Sequence, residues 1–208
     1  MKVAILGGTG SMGEALARHL SKQNEVIIGS RNPAKAKAAA QGLEGVVGAD
    51  YGGASRAADV IVIAIPYEAI GLVAGLREVA AGKLVISMIN PLRMDGGLLV
   101  HSLEKGSAAE ELARLLPKSR VATAFNNVPA GFFRDDVVPP VDILIAADSK
   151  ETYEEAANVV KGIREMRPLY AGPLSQARIV EEITPLVLNL ASLNGMKALT
   201  TRFVSRKG

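Results

Sequence analysis

Residues 3 to 13, Val3-Ala4-Ile5-Leu6-Gly7-Gly8-Thr9-Gly10-Ser11-Met12-Gly13, join an apolar strand to a glycine-rich turn and the start of a helix. In the spacing G-x-G-x-x-G, Gly8 permits a tight turn, Gly10 lets the backbone approach a pyrophosphate, and Gly13 allows the helix to pack closely on the strand. Each role needs a missing Cβ. A helix beginning near Ser11 aims its unpaired N–H groups and positive dipole end at that point, so a phosphate there needs no other partner. The ordinary alternative is a tight turn with no ligand. The strand before the motif and the helix after it favour a dinucleotide.

The next apolar run, Val26-Ile27-Ile28-Gly29, ends where a binder of NAD places Asp or Glu against the ribose 2′-hydroxyl. This chain has Ser30-Arg31 there, with Lys35 close behind. A carboxylate would repel a 2′-phosphate, whereas a hydroxyl, a guanidinium fork and an ammonium donate to one. The expected cofactor is NADP(H). Charge-assisted bonds of about 1.5 to 3 kcal/mol each would favour it over NAD roughly tenfold to a thousandfold. The plain alternative, solvated charges before a helix, leaves the missing acid unexplained.

The elements that must hold these residues alternate along the chain. Helices are expected at about 11–23, 33–42, 67–80, 107–116, 150–165 and 175–199, and strands at about 2–7, 25–29, 46–49, 59–65, 84–89, 120–125 and 141–147. Runs such as Val60-Ile61-Val62-Ile63-Ala64-Ile65 suit parallel strands covered on both faces. The expected fold is α/β: a Rossmann-type doubly wound, mostly parallel sheet with a small C-terminal helical extension. Residues 1–148 are expected to form the nucleotide-binding core and residues 149–208 an α/β extension packed on it.

In such a fold the residues just after each strand face the ligand. Those residues are Pro66-Tyr67, whose ring could cover the cofactor, Asn90-Pro91-Leu92, and Asn126-Asn127-Val128-Pro129-Ala130. Asn beside Pro is also ordinary turn chemistry. Asn at two adjacent strand ends would hydrogen-bond a carboxamide or a planar substrate without adding charge. Acid–base candidates are few. His19 falls within the first helix, where a surface or helix-end role is expected, and His101 follows Leu98-Leu99-Val100 in an expected loop. No H-E-x-x-H, G-x-S-x-G or carboxylate pair at a recognisable spacing occurs. Such a site suits hydride exchange between matched redox carriers, where alignment does most of the work and no catalytic side chain is required.

Composition fits this picture. The 208 residues carry a net charge of +3 with both signs interspersed and 4% aromatic residues, so nucleic acid is not an expected partner. The cluster Arg202, Arg206 and Lys207 reads as a solvated tail. The absence of cysteine excludes disulfides, thiolate metal sites and thiol nucleophiles. The first apolar run is too short for a signal peptide and no run is long enough for a bilayer, so a cytoplasmic location without membrane contact is expected. Ile179, Val180, Ile183, Leu186, Val187, Leu190 and Leu193 recur at helical spacing. That stripe is covered either by the core or by a second subunit, giving a homodimer. Pro185 inside it predicts a kink or restart, and Asn194-Gly195 a helix end.

Several segments together resemble a known family, the NADP oxidoreductases dependent on coenzyme F420, a deazaflavin. The resemblance covers almost the whole chain. It rests on Leu6 to Gly13, Gly29-Ser30-Arg31, Ile65-Pro66-Tyr67-Glu68 and Val128-Pro129-Ala130, and most specifically on Leu169 to Met196. That last stretch includes Ala171-Gly172-Pro173-Leu174-Ser175, Arg178, Val180-Glu181, Thr184-Pro185-Leu186, Leu188-Asn189 and Asn194-Gly195-Met196. The resemblance implies reversible hydride transfer between carbon 5 of reduced F420 and carbon 4 of the nicotinamide of NADP. It also implies that Thr9, Ser11 and Met12 contact phosphates, with Ser30, Arg31 and Lys35 on the 2′-phosphate. Ile65, Pro66, Tyr67, Asn90 and Ala130 then complete the NADP side. The deazaflavin lies near Asn90, Asn126, Val128 and Pro129, with Met196 beside it. One departure is Asn126, where some relatives carry an ionisable side chain. Two other readings stand beside this one: an NADP-dependent reductase of a flavin, ferric complex or imine, and a non-catalytic NADP(H)-sensing module.

Overall fold

The structure, a computed structural model, describes residues 1–133 and 139–206. Its centre is a six-stranded parallel sheet in the order β3-β2-β1-β4-β5-β8. The strands are β1 (Lys2–Leu6), β2 (Glu25–Ser30), β3 (Val46–Asp50), β4 (Val60–Ile63), β5 (Leu84–Ser87) and β8 (Arg120–Thr123). The order reverses between β1 and β4, which opens a crevice beyond their carboxyl ends. Register aligns those ends: Leu6 pairs with Gly29 and Ile63, Ile63 with Ser87, and Ser87 with Thr123. The loops that follow therefore emerge in one row.

Alternation along the strands makes two cores. Val3, Ile5, Val26, Ile28, Val62 and Ile86 face one layer, while Ala4, Leu6, Ile61, Ile63 and Val85 face the other. Helix α1 (Ser11–Leu20) covers the first through Leu16 and Leu20, and α5 (Lys150–Lys161) adds Val159 and Val160. Helix α4 (Ala108–Leu115) covers the second through Leu112. Side-chain caps set most helix starts: Asn32 for α2 (Pro33–Ala40), Asp50 for α3 (Tyr51–Ala57), Ser107 for α4 and Ser149 for α5.

Several segments differ from expectation. Residues 67–76 form a 3-10 helix where an α-helix over 67–80 was expected. Helix α3, with Gly52 and Gly53 in its first turn, was not expected. Nor was the hairpin of β6 (Leu92–Asp95) and β7 (Leu98–His101), turning at Gly96 and Gly97. Strand β9 (Val141–Ala146) does not join the main sheet as a seventh strand. It pairs in parallel with β10 (Met166–Gly172) and touches β8 through one antiparallel bridge, Ala122 to Ala147. The reason is that its ladder groups have other partners: β10 on one side, and the tail through the Asp142 N–H to the Thr201 carbonyl, 3.1 Å. Helix α6 (Ala177–Leu193) runs through Pro185 without a restart and ends at Asn194, with Gly195 left-handed at φ +64°.

The basic tail is likewise not simply solvated. Arg202 reaches the buried Asp142 carboxylate at 3.2 Å, beside the bidentate Arg167 at 2.7 and 2.8 Å; Arg206 is exposed and Lys207 lies outside the described residues. Burial alone would raise the Asp142 pKa, but hydrogen bonds from Arg167 and the Phe203 N–H, with the charges of Arg167 and Arg202, outweigh it and hold the carboxyl below its ordinary value. A carboxyl lowered in the fold adds stability that is fully present above the unfolded pKa and is lost as pH falls through the folded one. The stability gap between the wild type and Asp142→Asn should therefore be constant above about pH 5 and close below about pH 4. Urea unfolding across that range measures it.

Candidate cofactor site

A cleft of about 750 Å³ lies at the row of strand ends around β1, β2 and β4. It brings together Thr9, Gly10, Ser11, Met12 and Gly13 from the first turn, Ser30, Arg31 and Lys35 from the end of β2, and Ile65 and Pro66 from the end of β4. Gly7, Asn32, Tyr51, Ala64 and Met88 also line it, and sequence reading missed these five. Tyr51 could have been found as the first residue after β3, had the start of α3 been recognised.

The turn is built differently in detail from the sequence expectation. Its left-handed residue is Gly7, at φ +87°, where a Cβ would also lie 2.3 Å from the Ala64 carbonyl oxygen. Gly8 is buried beneath the turn and does not line the cleft. At Gly13 a Cβ would lie 2.5 Å from the Gly8 Cα and 2.7 Å from the Gly7 oxygen, so α1 can sit this close only without one. The N-terminus of α1 has no side-chain cap, whereas α2 to α5 each have one. Its amides are thus available to an anion in the cleft.

At the β2 end, Ser30 is buried and its Oγ accepts from the Asn32 N–H at 3.2 Å, leaving the hydroxyl proton to donate elsewhere. Asn32 Oδ1 accepts from the N–H groups of Ala34 and Lys35. Arg31 and Lys35 are exposed and make no ion pair among the described residues. No acidic residue lines the cleft among the described residues. Burial raises the Tyr51 phenol pKa, and the nearby positive charge of Arg31 opposes it.

The remaining candidates lie outside that cleft wall. Asn126 Nδ2 donates to the Ile89 carbonyl at 3.1 Å and to Asn90 Oδ1 at 3.2 Å, and Asn90 Nδ2 donates to the Asn126 carbonyl at 3.1 Å. Thr184 of α6 donates to that same carbonyl at 2.7 Å, while the buried Asn126 Oδ1 has no partner. Phe125, just before it, is a buried non-glycine residue at φ +65°, a conformation held only by its surroundings. Val128 is buried, Pro129 and Ala130 are half-buried, and Met196 is exposed past α6. The Tyr67 hydroxyl donates to Glu111 at 2.8 Å, which with burial raises its pKa.

The histidines are structural. His19 lies in the last turn of α1, the helix-end position expected, but it is buried rather than on the surface, with Nε2 3.1 Å from the Phe133 carbonyl. His101 pairs with the fully buried Glu181 at 3.0 Å, and Glu181 also accepts from the Ala108 and Ala109 N–H groups at the start of α4. Burial pushes the Glu181 carboxyl up, against these hydrogen bonds. Asn189 adds bonds to both backbone groups of Leu99, so α6 holds β7 at two points.

The sheet order, the uncapped helix and the cleft between them define a Rossmann-type dinucleotide-binding protein. Residues 2–91 match the family described as NADP oxidoreductase, coenzyme F420-dependent. The F420-dependent NADP reductase of Methanothermobacter thermautotrophicus is 39% identical, over 95% of this chain and 92% of that protein. That of Methanocaldococcus jannaschii is 35% identical, over 91% and 92%. The chain belongs to the F420-dependent NADP reductase family. In fold it is similar to a putative F420-dependent NADP reductase from Arthrobacter sp. FB24, with TM-score 0.86 at 23% identity, over 99% of this chain and 100% of that one. It is also similar in fold to a Streptomyces aurantiacus imine reductase, with TM-score 0.67 at 20% identity, over 93% and 64%. Among the described residues, no helix is long and apolar enough to cross a membrane.

Proposed function

We propose that this protein catalyses reversible hydride transfer between NADP(H) and coenzyme F420. The observation that carries the reading is similarity along nearly the full length to relatives named for that reaction. The geometry supports it. The free amides of α1, with Thr9, Ser11 and Met12, hold the pyrophosphate, and Ser30, Arg31 and Lys35 hold the 2′-phosphate. Ile65 and Pro66 direct the nicotinamide toward the ends of β5 and β8. There Asn90 and Ala130 complete the NADP side, and Asn126, Val128 and Pro129, with Met196 at the outer edge, form a wall without ionisable side chains beside the second flat carrier. Bound together, the carriers exchange hydride between carbon 5 of the deazaflavin and carbon 4 of the nicotinamide. The protein aligns them and excludes water.

The same reading divides the chain into a nucleotide-binding core over 1–148 and an extension over 149–208, in the cytoplasm. It makes the active form a homodimer. Helix α6 buries Val180, Val187 and Ala191 against the core but leaves Ile179, Leu186, Leu190 and Leu193 exposed, an apolar stripe suited to a second copy.

The test is to mix protein, NADPH and oxidised F420 and follow both chromophores. One F420 should be reduced per NADPH oxidised. Reduction of a flavin, ferric complex or imine with F420 untouched would replace the proposed acceptor, and tight NADPH binding without turnover of any acceptor would make the protein a sensor.

A further inference from the structure

The tail beyond α6 is bonded to the loop that follows β8. Thr200 Oγ1 donates to the Asn127 carbonyl at 2.9 Å, and Asn127 Nδ2 donates to Thr201 Oγ1 and to the Asp142 carbonyl, both at 2.7 Å. The tail is in turn anchored on β9. The Asp142 N–H donates to the Thr201 carbonyl, the Asp142 carboxylate accepts from Arg202 and the Phe203 N–H, and Arg167 Nη2 donates to the Phe203 carbonyl at 2.8 Å. Thr184 and Asn90 in turn hold the Asn126 carbonyl. Two successive peptide carbonyls, 126 and 127, are thus each held by a part of the chain more than fifty residues further on. They are flanked by the strained Phe125 on one side and Val128-Pro129 on the other, with the Val128 N–H donating to the Phe125 carbonyl at 3.3 Å. Among the described residues, none of these tail hydrogen bonds is made to a residue lining the 750 Å³ cleft.

We propose that residues 200–203 are a strap that positions the 126–130 loop for the second carrier, with Asn127, Thr200 and Thr201 as positioning residues. The inference rests on the F420 reading for the identity of that carrier. The geometry of the strap does not depend on it. Nucleotide binding and second-carrier binding then have separate supports: the first turn and the β2 end for one, and the clasped loop for the other. Loosening the strap widens the range of loop positions, which weakens capture of the second carrier and leaves NADPH where it was.

The test is the double variant Thr200→Val, Thr201→Val, which keeps the side-chain shape and removes both hydroxyls. The expected result is a KM for F420 raised about tenfold, with the Kd for NADPH within about twofold of wild type. Thr201→Ser, which keeps the hydroxyl, should retain the wild-type KM. Hydrogen exchange gives a readout that needs no turnover: the amides of Asn126, Asn127, Val128 and Ala130 should exchange faster in the double variant, while those of residues 7–13 stay as protected as before. Unchanged exchange in 126–130, or an NADPH Kd that rises in step with the KM, would overturn the strap. If the double variant does not fold, Arg202→Gln at the tail's exposed edge is read by the same two measurements, with the same outcomes deciding. A wild-type protein that never reduces F420 would refute the proposed reaction, and the exchange experiment would still decide the strap.

Discussion

Replacing Arg31 by Ala should raise the Kd for NADPH by about 10- to 150-fold while leaving that for NADH within about twofold, because one charge-assisted hydrogen bond of about 1.5 to 3 kcal/mol is lost from the 2′-phosphate alone. Arg31 is exposed and has no ion-pair partner among the described residues, so its removal breaks no structural bond. The Tyr51 ring beside it remains, as does the Ser30 hydroxyl. Lys35 also remains, its backbone N–H on the Asn32 cap, and it limits the loss. Fluorescence titration with both nucleotides makes the measurement. Equal losses for NADPH and NADH would mean that Arg31 contacts a part the two share, and the 2′-phosphate assignment would fall.

The second large effect is expected at Gly13. A Cβ there would lie 2.5 Å from the Gly8 Cα and 2.7 Å from the Gly7 oxygen, and both are backbone atoms with no rotamer to retreat into. Gly13→Ala must therefore push α1 off the turn, at a cost of about 1 to 3 kcal/mol in stability. The same displacement moves the free helix amides away from the pyrophosphate, so NADPH affinity should fall by at least about tenfold. Gly10→Ala is the informative control. Its Cβ would meet only the Gly7 oxygen, at 3.4 Å, so stability should stay within about 0.5 kcal/mol while the new methyl obstructs the ligand's approach. Denaturant unfolding and NADPH titration on both variants separate the two roles. If Gly13→Ala proved as stable as Gly10→Ala, the close packing would not be what Gly13 is for.

The elements that could be read from the chain are those whose burial leaves a local pattern. Strands β1, β4 and β5 are covered on both faces and so appear as unbroken apolar runs, and the capping residues Asn32, Ser107 and Ser149 mark helix starts. Elements without such a pattern were missed. The β6–β7 hairpin is short and largely exposed, β10 carries Pro168 within its ladder, and α3 has two glycines in its first turn. Strand β9 was read correctly as a strand, but its pairing with β10 outside the main sheet was not legible, because an apolar run does not say which edge it will join. His101 was assigned to a loop, since nothing near it in the chain announces Glu181, eighty residues on.

By itself the sequence determined the nucleotide half of this protein. The glycine spacing, the helix start at Ser11 and the replacement of an acid by Ser30-Arg31 all act over a few neighbouring residues, where backbone geometry and charge are set by local chemistry. Only the tertiary structure decided the other half. It put Asn90 against Asn126, Thr184 on the Asn126 carbonyl, the tail on Asn127 and Tyr51 beside Arg31. Those contacts join segments far apart in the chain, and they exist because strand register brings the ends of β1, β2, β4, β5 and β8 to one edge. Register is fixed by the packing of whole faces, which no short stretch of residues carries.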